Sequence, residues 1–343
     1  MSISIVAESD EVVNENSMKK WALRKRASRR TAARLFAAGL KGRAARMYEC
    51  GDYLVSRIDP ITGEVKTDTM QLCRDRLCPL CSWRLSLRRF SEMMAVMELL
   101  QTEIMENNYH VSMLTLTVRN MPLGELRAAI EAFSKAWHDM SRREFFKGAV
   151  VGWSRSLEIT YNNRTDTYHP HYHCIIIWKP DADATELSAK VMRKAWREAY
   201  NCDYDPVIDI RDVYSNNKDE EENKPSIVKS ALEAFKYAVK PDSVDKIPQE
   251  HLAEFANAVS GVRFVSYGRA IKEARRSLGF KNSDNAEPLN APNTLPDSAI
   301  IAVMRWNGTA YTKTTLEAEP WRLSKERLEK ELSLTEADND ELM

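Results

Sequence analysis

No run of apolar residues in this 343-residue chain approaches the length of a membrane span. The first fifteen residues carry four acids and lack an apolar central segment, so they do not make a secretory signal. A cytoplasmic protein with no membrane partner is therefore expected. In that reducing compartment the six cysteines point to metal binding more than to disulfides. Net charge is absent too, with 50 basic residues against 50 acidic ones. The balance hides a segregation. From Asn16 to Tyr48 there is no Asp or Glu, while Lys19, Lys20, Arg24, Lys25, Arg26, Arg29, Arg30, Arg34, Lys41, Arg43 and Arg46 supply eleven positive charges. A second basic run follows at Arg74, Arg76, Arg84, Arg88 and Arg89, and acid collects at 219–222 and in the last thirty residues. Basic blocks of this kind meet nucleic-acid phosphates. They are equally compatible with a solvated helix or a disordered arm that folds on DNA. No internal repeat is present, and an apolar fraction of 43% with eight Trp excludes a wholly disordered chain.

What the chain does have is concentrated in two short passages. Residues 169–173 read His-Pro-His-Tyr-His, which places half of the six histidines within five positions, directly ahead of Cys174-Ile175-Ile176-Ile177-Trp178. Side chains two apart on a strand share a face, so His171 and His173 would project together. Two imidazoles with coordination positions left over suit a divalent metal that polarises a phosphate or holds water. The expected partner strand, 150–161, carries Ser156, Glu158 and Thr160 on its polar face. Glu158 is either a carboxylate ligand (for Mn²⁺, Mg²⁺ or another such ion) or a solvated strand residue. His169 is open between a third ligand, a donor behind the ligands and a phosphate contact. The second passage is Cys73-Arg74-Asp75-Arg76-Leu77-Cys78-Pro79-Leu80-Cys81. Cys78 and Cys81 form a CxxC knuckle that Cys50 and Cys73 would complete as a closed, structural four-thiolate zinc site. A redox pair or buried thiols are the alternatives; Cys174 and Cys202 read as core cysteines.

Between these passages the periodicity predicts strands at 111–118, 150–161, 171–178 and 207–213, with helices at 123–146, 184–200 and 226–239. That order, strand–helix–strand–strand–helix–strand–helix, is an α+β split βαβ arrangement of ferredoxin-like type, an antiparallel sheet with helices on one side. On the last helix Glu233, Tyr237 and Lys240 fall at i, i+4 and i+7 and share a face. A Tyr hydroxyl can attack a metal-polarised phosphodiester, Lys can offset the phosphate charge, and Glu can act as general base. A Tyr at such a position is otherwise a half-buried packing residue. Pro241 directly after Lys240 must end the helix, which leaves Tyr237 in its last turn.

Leu114-Thr115-Leu116-Thr117-Val118-Arg119-Asn120, the His-Pro-His-Tyr-His run, Lys236-Tyr237-Ala238-Val239-Lys240 and the Cys73–Arg84 passage resemble, in this order, the motifs of plasmid rolling-circle replication initiators of the HUH endonuclease superfamily. The resemblance covers about residues 48–275. It implies a site-specific endonuclease and ligase for single-stranded or hairpin origin DNA. Tyr237 would become linked to the 5′-phosphate, leaving a 3′-hydroxyl for a host polymerase with its helicase, and Glu233 would terminate. An oligomer is compatible with it. An HUH transposase and a non-catalytic zinc-containing DNA-binding regulator remain the alternatives; the lone Tyr favours the initiator. The expected segments are a basic arm (1–46), a Cys-rich zinc and DNA-contact element (47–95), the nuclease core (100–278) and a loop-rich acidic tail (279–343), with a short charged helix at 319–332.

Overall fold

A computed structural model describes residues 15–58, 61, 65–180, 189–214, 241–280 and 300–314. The chain divides into two compact units, residues 1–84 with 287–343 and residues 85–286. In the first, the acid-free stretch is folded. It forms α1 (Glu15–Ala37) and α2 (Lys41–Tyr48). Trp21, Ala22, Ala32 and Leu35 are buried on α1, while Lys19, Lys20, Arg26 and Arg30 stay exposed. Gly39 ends α1 at φ +80°, with its N–H on the Phe36 carbonyl at 2.9 Å and the Leu40 N–H on the Leu35 carbonyl at 2.9 Å. This is a Schellman cap, whose left-handed residue glycine adopts without strain.

The same unit holds an antiparallel sheet of β1 (Tyr53–Ile58), β2 (Val65–Met70), β8 (Ile300–Trp306) and β9 (Tyr311–Thr314), in the order β2-β1-β8-β9. Residues 300–314, expected as loop, thus pair with a strand nearly 250 residues earlier, Tyr53 facing Arg305 and Ile58 facing Ile300. Residues 1–46 and 287–343 thus fall in one unit with the four cysteines, while 279–286 falls in the other.

The helix α3 (Pro79–Glu106) carries Arg84, Arg88 and Arg89 and, further on, Met93, Met94, Met97 and Met105 in one element. Its residues from 85 onward belong to the second unit. That unit continues with β3 (His110–Thr117), α4 (Leu123–Ser141), α5 (Glu144–Ala149), β4 (Val150–Asn162), β5 (Thr167–Trp178), α6 (Ala189–Tyr200), β6 (Ile208–Tyr214), α7 (Pro241–Lys246), α8 (Leu252–Ala258), β7 (Val265–Gly268) and α9 (Arg269–Ser277). One helix was expected over 123–146; Arg143, extended at ψ 147°, divides it and turns Phe146 into the core against Trp178. The sheet runs β6-β3-β5-β4-β7, every pair antiparallel, with β5 at its centre.

Helices cover both faces of this sheet, not one. Behind β5, Phe133 of α4 meets Tyr172 and Trp196 edge-on at 5.1 and 5.3 Å. On the other face Met93, Val96, Met97, Leu100 and Ile104 of α3 form one core cluster with Ile175, Ile177, Val265 and Ile271. The physical reason lies in β5 itself, where Cys174–Trp178 is apolar on both sides and each side needs a cover. His171 and His173 share the α3-covered face with Ile175 and Ile177, but at its other end. The α+β class with antiparallel sheets is therefore correct, and the one-sided helix layer is not. The helix expected at 226–239, with Glu233, Tyr237 and Lys240, and the one at 319–332 lie outside the described residues, as do residues 184–188 of the helix expected at 184–200.

Candidate metal centre and cysteine cluster

The β4–β5 hairpin turns at residues 163–166, and its ladder sets Glu158 opposite His171 and Ser156 opposite His173. All three functional side chains then fall on one face. Glu158 Oε2 lies 3.1 Å from His171 Nε2 and 3.0 Å from His173 Nε2. Glu158, His171 and His173 keep only 3%, 9% and 8% of their surface exposed. The outer ring nitrogens decide the tautomers. His171 Nδ1 faces the His169 carbonyl at 3.3 Å, which can only accept, so that nitrogen carries the proton. His173 Nδ1 meets the Thr115 hydroxyl of β3 at 3.4 Å, an oxygen that can accept in the same way.

With the proton on both Nδ1 atoms, the two Nε2 lone pairs and a carboxylate oxygen converge within 4.8 Å. Three lone pairs so placed repel one another unless a cation or a proton lies among them. Backbone and hydroxyl groups holding the far N–H of each imidazole are the usual setting of metal-bound histidines. The donor set therefore fits a divalent cation. His169 stands aside. Its ring centroid is 5.4 Å from that of His171, it is not in the converging group, and burial followed by the His171 charge pushes its pKa down.

The second cluster is built by elements far apart in sequence. Cys50 follows α2, Cys73 follows β2, and Cys78 and Cys81 flank the start of α3. The Sγ atoms of Cys50 and Cys81, Cys73 and Cys81, and Cys78 and Cys50 are 3.5, 3.6 and 3.7 Å apart. Four thiolates about 2.3 Å from a common centre in a tetrahedron stand roughly 3.8 Å from each other, so the set fits zinc. It is too wide for a disulfide, whose sulfurs are about 2.05 Å apart. The Cys73 N–H donates to Cys50 Sγ at 3.3 Å, and the Ser28 hydroxyl of α1 lies 3.3 Å from Cys78 Sγ. Burial opposes ionisation of Cys78. Hydrogen bonds from Cys50, Cys73, Cys81 and Ser28 outweigh it and hold that thiol well below its ordinary pKa, while Cys73 and Cys81 are pushed well above theirs.

Sequence reasoning missed the supports of this cluster. Gly51 sits at φ +72°, where an L side chain is strained, and a Cβ there would also meet Leu80 Cδ2 at 2.4 Å. Its carbonyl accepts the Tyr311 hydroxyl at 2.6 Å, and the Asp52 carbonyl accepts the Trp306 N–H at 2.9 Å. Lys25, one of the supposed arm cations, is wholly buried, with Nζ donating to the Tyr48 and Cys50 carbonyls at 2.6 and 2.9 Å and pairing with Asp52 at 2.5 Å. Burial, more than any neighbour, lowers its pKa; Asp52 acts in the opposite direction. The only signal available was its place on the Trp21–Ser28 side of the helix. Lys25→Met would take the Nζ donor from two carbonyls and leave the Asp52 carboxylate to Arg29 alone, at 3.3 Å. It is expected to cost roughly 3–5 kcal/mol, or on the order of 10 °C in the thermal midpoint of the metal-loaded protein.

The candidate DNA-contact arginines separate. Arg74 is exposed at φ 57°, in a loop fixed by the fork of Arg43 on Asp75 at 2.7 and 2.9 Å. Arg84 lies over the Trp21 ring at 5.0 Å, and Arg76 is half-buried. Arg88 is tied to Glu92 at 2.7 Å, and Arg89 is 7% exposed. The helix turns Arg89 inward, where it is buried.

These arrangements can be set beside known proteins. The profile of a family described as replication protein matches residues 64–312. The chain belongs to that family. It is the family of plasmid rolling-circle initiators that the histidine and cysteine motifs resemble. A protein rep of Bacillus amyloliquefaciens is 31% identical over 261 residues, 71% of this chain and 76% of that protein. One from Streptococcus pneumoniae serotype 2 is 28% identical over 274 residues, 77% and 81% of the two chains. Another, from a Bacillus species, is 28% identical over 280 residues, 77% of this chain and 90% of its own. No solved structure matches. The family match spans Cys73, Cys78, Cys81 and the Glu158–His171–His173 group; α1, α2 and Cys50 precede it. No helix among the described residues is long and apolar enough to cross a membrane.

Proposed function

We propose that this replication protein nicks and rejoins one strand of plasmid origin DNA, with Tyr237 as nucleophile beside a divalent cation held by Glu158, His171 and His173. The convergence of Glu158 Oε2 on both imidazole Nε2 atoms carries the reading. Two imidazoles to one carboxylate suit a borderline ion such as Mn²⁺ better than Mg²⁺, which prefers oxygen. When bound, the cation polarises the scissile phosphate as a Lewis acid. The Tyr237 oxygen attacks phosphorus, the P–O3′ bond breaks, and the 3′-oxygen takes up a proton and leaves as the hydroxyl primer. The 5′-phosphate stays on Tyr237, and Lys240 offsets its charge. In the closing step Glu233 accepts the proton of an attacking hydroxyl or water, the bond between phosphorus and the Tyr237 oxygen breaks, and the departing phenolate takes up a proton.

Cys50, Cys73, Cys78 and Cys81 hold a zinc ion whose closed coordination leaves it structural. Arg74, Arg76 and Arg84, with the outward cations Lys20, Arg26 and Arg46, supply phosphate affinity. The released primer serves a host polymerase and helicase in the cytoplasm. The ferredoxin-like, HUH-type topology is the frame we assign to the β6-β3-β5-β4-β7 sheet, and the family favours this reading over a transposase or a passive regulator.

The test is direct. A labelled single strand bracketing the nick site, from the replicon encoding the chain, is incubated with Mn²⁺ and resolved under denaturing conditions. A covalent protein–DNA adduct is expected, falling by at least about 10³-fold in Tyr237→Phe, as for loss of a covalent nucleophile. Tight binding by the wild-type protein without cleavage would sink the proposal.

A further inference from the structure

β3 carries Thr117 beside His171, and the chain then stays along β5. Met121 and Tyr168 exchange two backbone hydrogen bonds, at 2.9 and 2.8 Å. Arg119 lies in the chain between these two registered points. Its guanidinium carbon stands 3.8 Å from the centroid of the Tyr204 ring, and its backbone N–H donates to the Tyr204 hydroxyl at 2.6 Å. The loop carrying Tyr204 is tied to the same strand, since the Thr117 hydroxyl donates to the Val207 carbonyl at 2.7 Å. Stacking from one side and anchoring at both ends hold the guanidinium plane in place, which lowers the entropy lost when it grips a ligand.

The side chain nevertheless remains 65% exposed. Among the described residues its carboxylate partner is Asp203, 3.4 Å away and 83% exposed, so the pair is weak and readily exchanged. The next acids along the loop already have partners, Asp205 on Arg197 at 3.0 Å and Asp209 on Arg211 at 2.6 Å. A flat, pre-oriented, solvent-facing guanidinium recognises an anion with two oxygens side by side, as a phosphodiester has.

We propose that Arg119, stacked on Tyr204, binds one backbone phosphate of the single strand close to the Glu158–His171–His173 group and sets the register of that strand. The inference rests on the nicking reading above for the identity of the strand. Binding of the same origin strand is measured without added cation, so that no cleavage occurs, using oligonucleotides with one neutral methylphosphonate linkage at each position in turn. Wild-type protein is expected to lose roughly tenfold in affinity at one linkage near the nick site, the size of one charge-assisted contact. Arg119→Ala should lose the same tenfold on the unmodified strand and show no further loss at that linkage. Arg119→Lys, a point charge without the fork, should recover only part of it.

Equal sensitivity of wild type and Arg119→Ala at every linkage would overturn the subsite, as would wild-type affinity in Arg119→Ala. Arg119-dependent binding with no adduct in Mn²⁺ would instead remove the nicking reading and leave the subsite standing. Adduct formation with Arg119-independent binding would do the reverse.

Discussion

His173→Ala is expected to lower Mn²⁺-dependent nicking by about 10³-fold while leaving the metal-free protein folded. Lewis-acid polarisation is worth several kcal/mol of transition-state charge stabilisation, and each 1.36 kcal/mol is a tenfold change in rate, which sets the scale. The substitution removes one of three converging donors and also frees the Thr115 hydroxyl from Nδ1. A purely structural role for the group predicts a different pattern. The ring of His173 and the carboxylate of Glu158 would then stabilise each other, and the variant would melt early with or without metal. With a metal role, the melting midpoint of the wild type should rise on adding Mn²⁺, by linkage of about 2.7 kcal/mol at a hundred times the Kd, and that rise should vanish in the variant. Thr115→Val provides the graded case. It leaves all three donors in place but lets the His173 ring turn, and it should weaken Mn²⁺ affinity about 10- to 100-fold, measured by calorimetry. An unchanged Mn²⁺-induced shift in His173→Ala would exclude this residue as a ligand.

The histidine face was legible because it depends on a short-range rule. A period of two sets His171 and His173 together, and the turn residues at 162–166 fix the ladder that brings Glu158 across. The four cysteines were legible for another reason, as their spacing matches the geometry of one tetrahedral ion. What escaped the sequence was long-range pairing. The strand at 300–306 carries no local sign that its partner is 53–58, and the Met-rich stripe of α3 announces a buried face without naming the sheet it covers.

Charge misled in the opposite direction. Lys25, Arg43 and Arg89 read as surface cations because such residues usually are. Lys25 is buried, and Arg43 half-buried, against partners elsewhere in the fold: the carbonyls of Tyr48 and Cys50, and the carboxylates of Asp52 and Asp75. Helix periodicity places Lys25 on the Trp21–Ser28 side of α1, but nothing local says that acceptors await it there. A basic run thus divides into internal ties and outward phosphate contacts according to tertiary neighbours, which the run itself does not encode.

Cys78→Ser is the change expected to do most harm to folding. Cys78 is fully buried, receives contacts from Cys50 and Ser28, and sits where α1, the Cys50–Asp52 segment and the head of α3 meet. With zinc bound, the four thiolates close a loop from 50 to 81, and the binding energy of a structural zinc is folding energy. The wild-type protein should contain one zinc ion per chain by elemental analysis, and Cys78→Ser should lose both the ion and solubility. Ser28→Ala, which removes only the hydroxyl shared by Cys78 Sγ and the Leu80 N–H, should keep the ion and lose about 1–3 kcal/mol through the unsatisfied N–H. A chelator should reproduce the Cys78→Ser defect in the wild type, with thermal unfolding of residues 15–84 followed by proteolysis. Protein that is metal-free by elemental analysis yet melts and resists protease as the untreated sample does would show that the thiols support the fold without an ion.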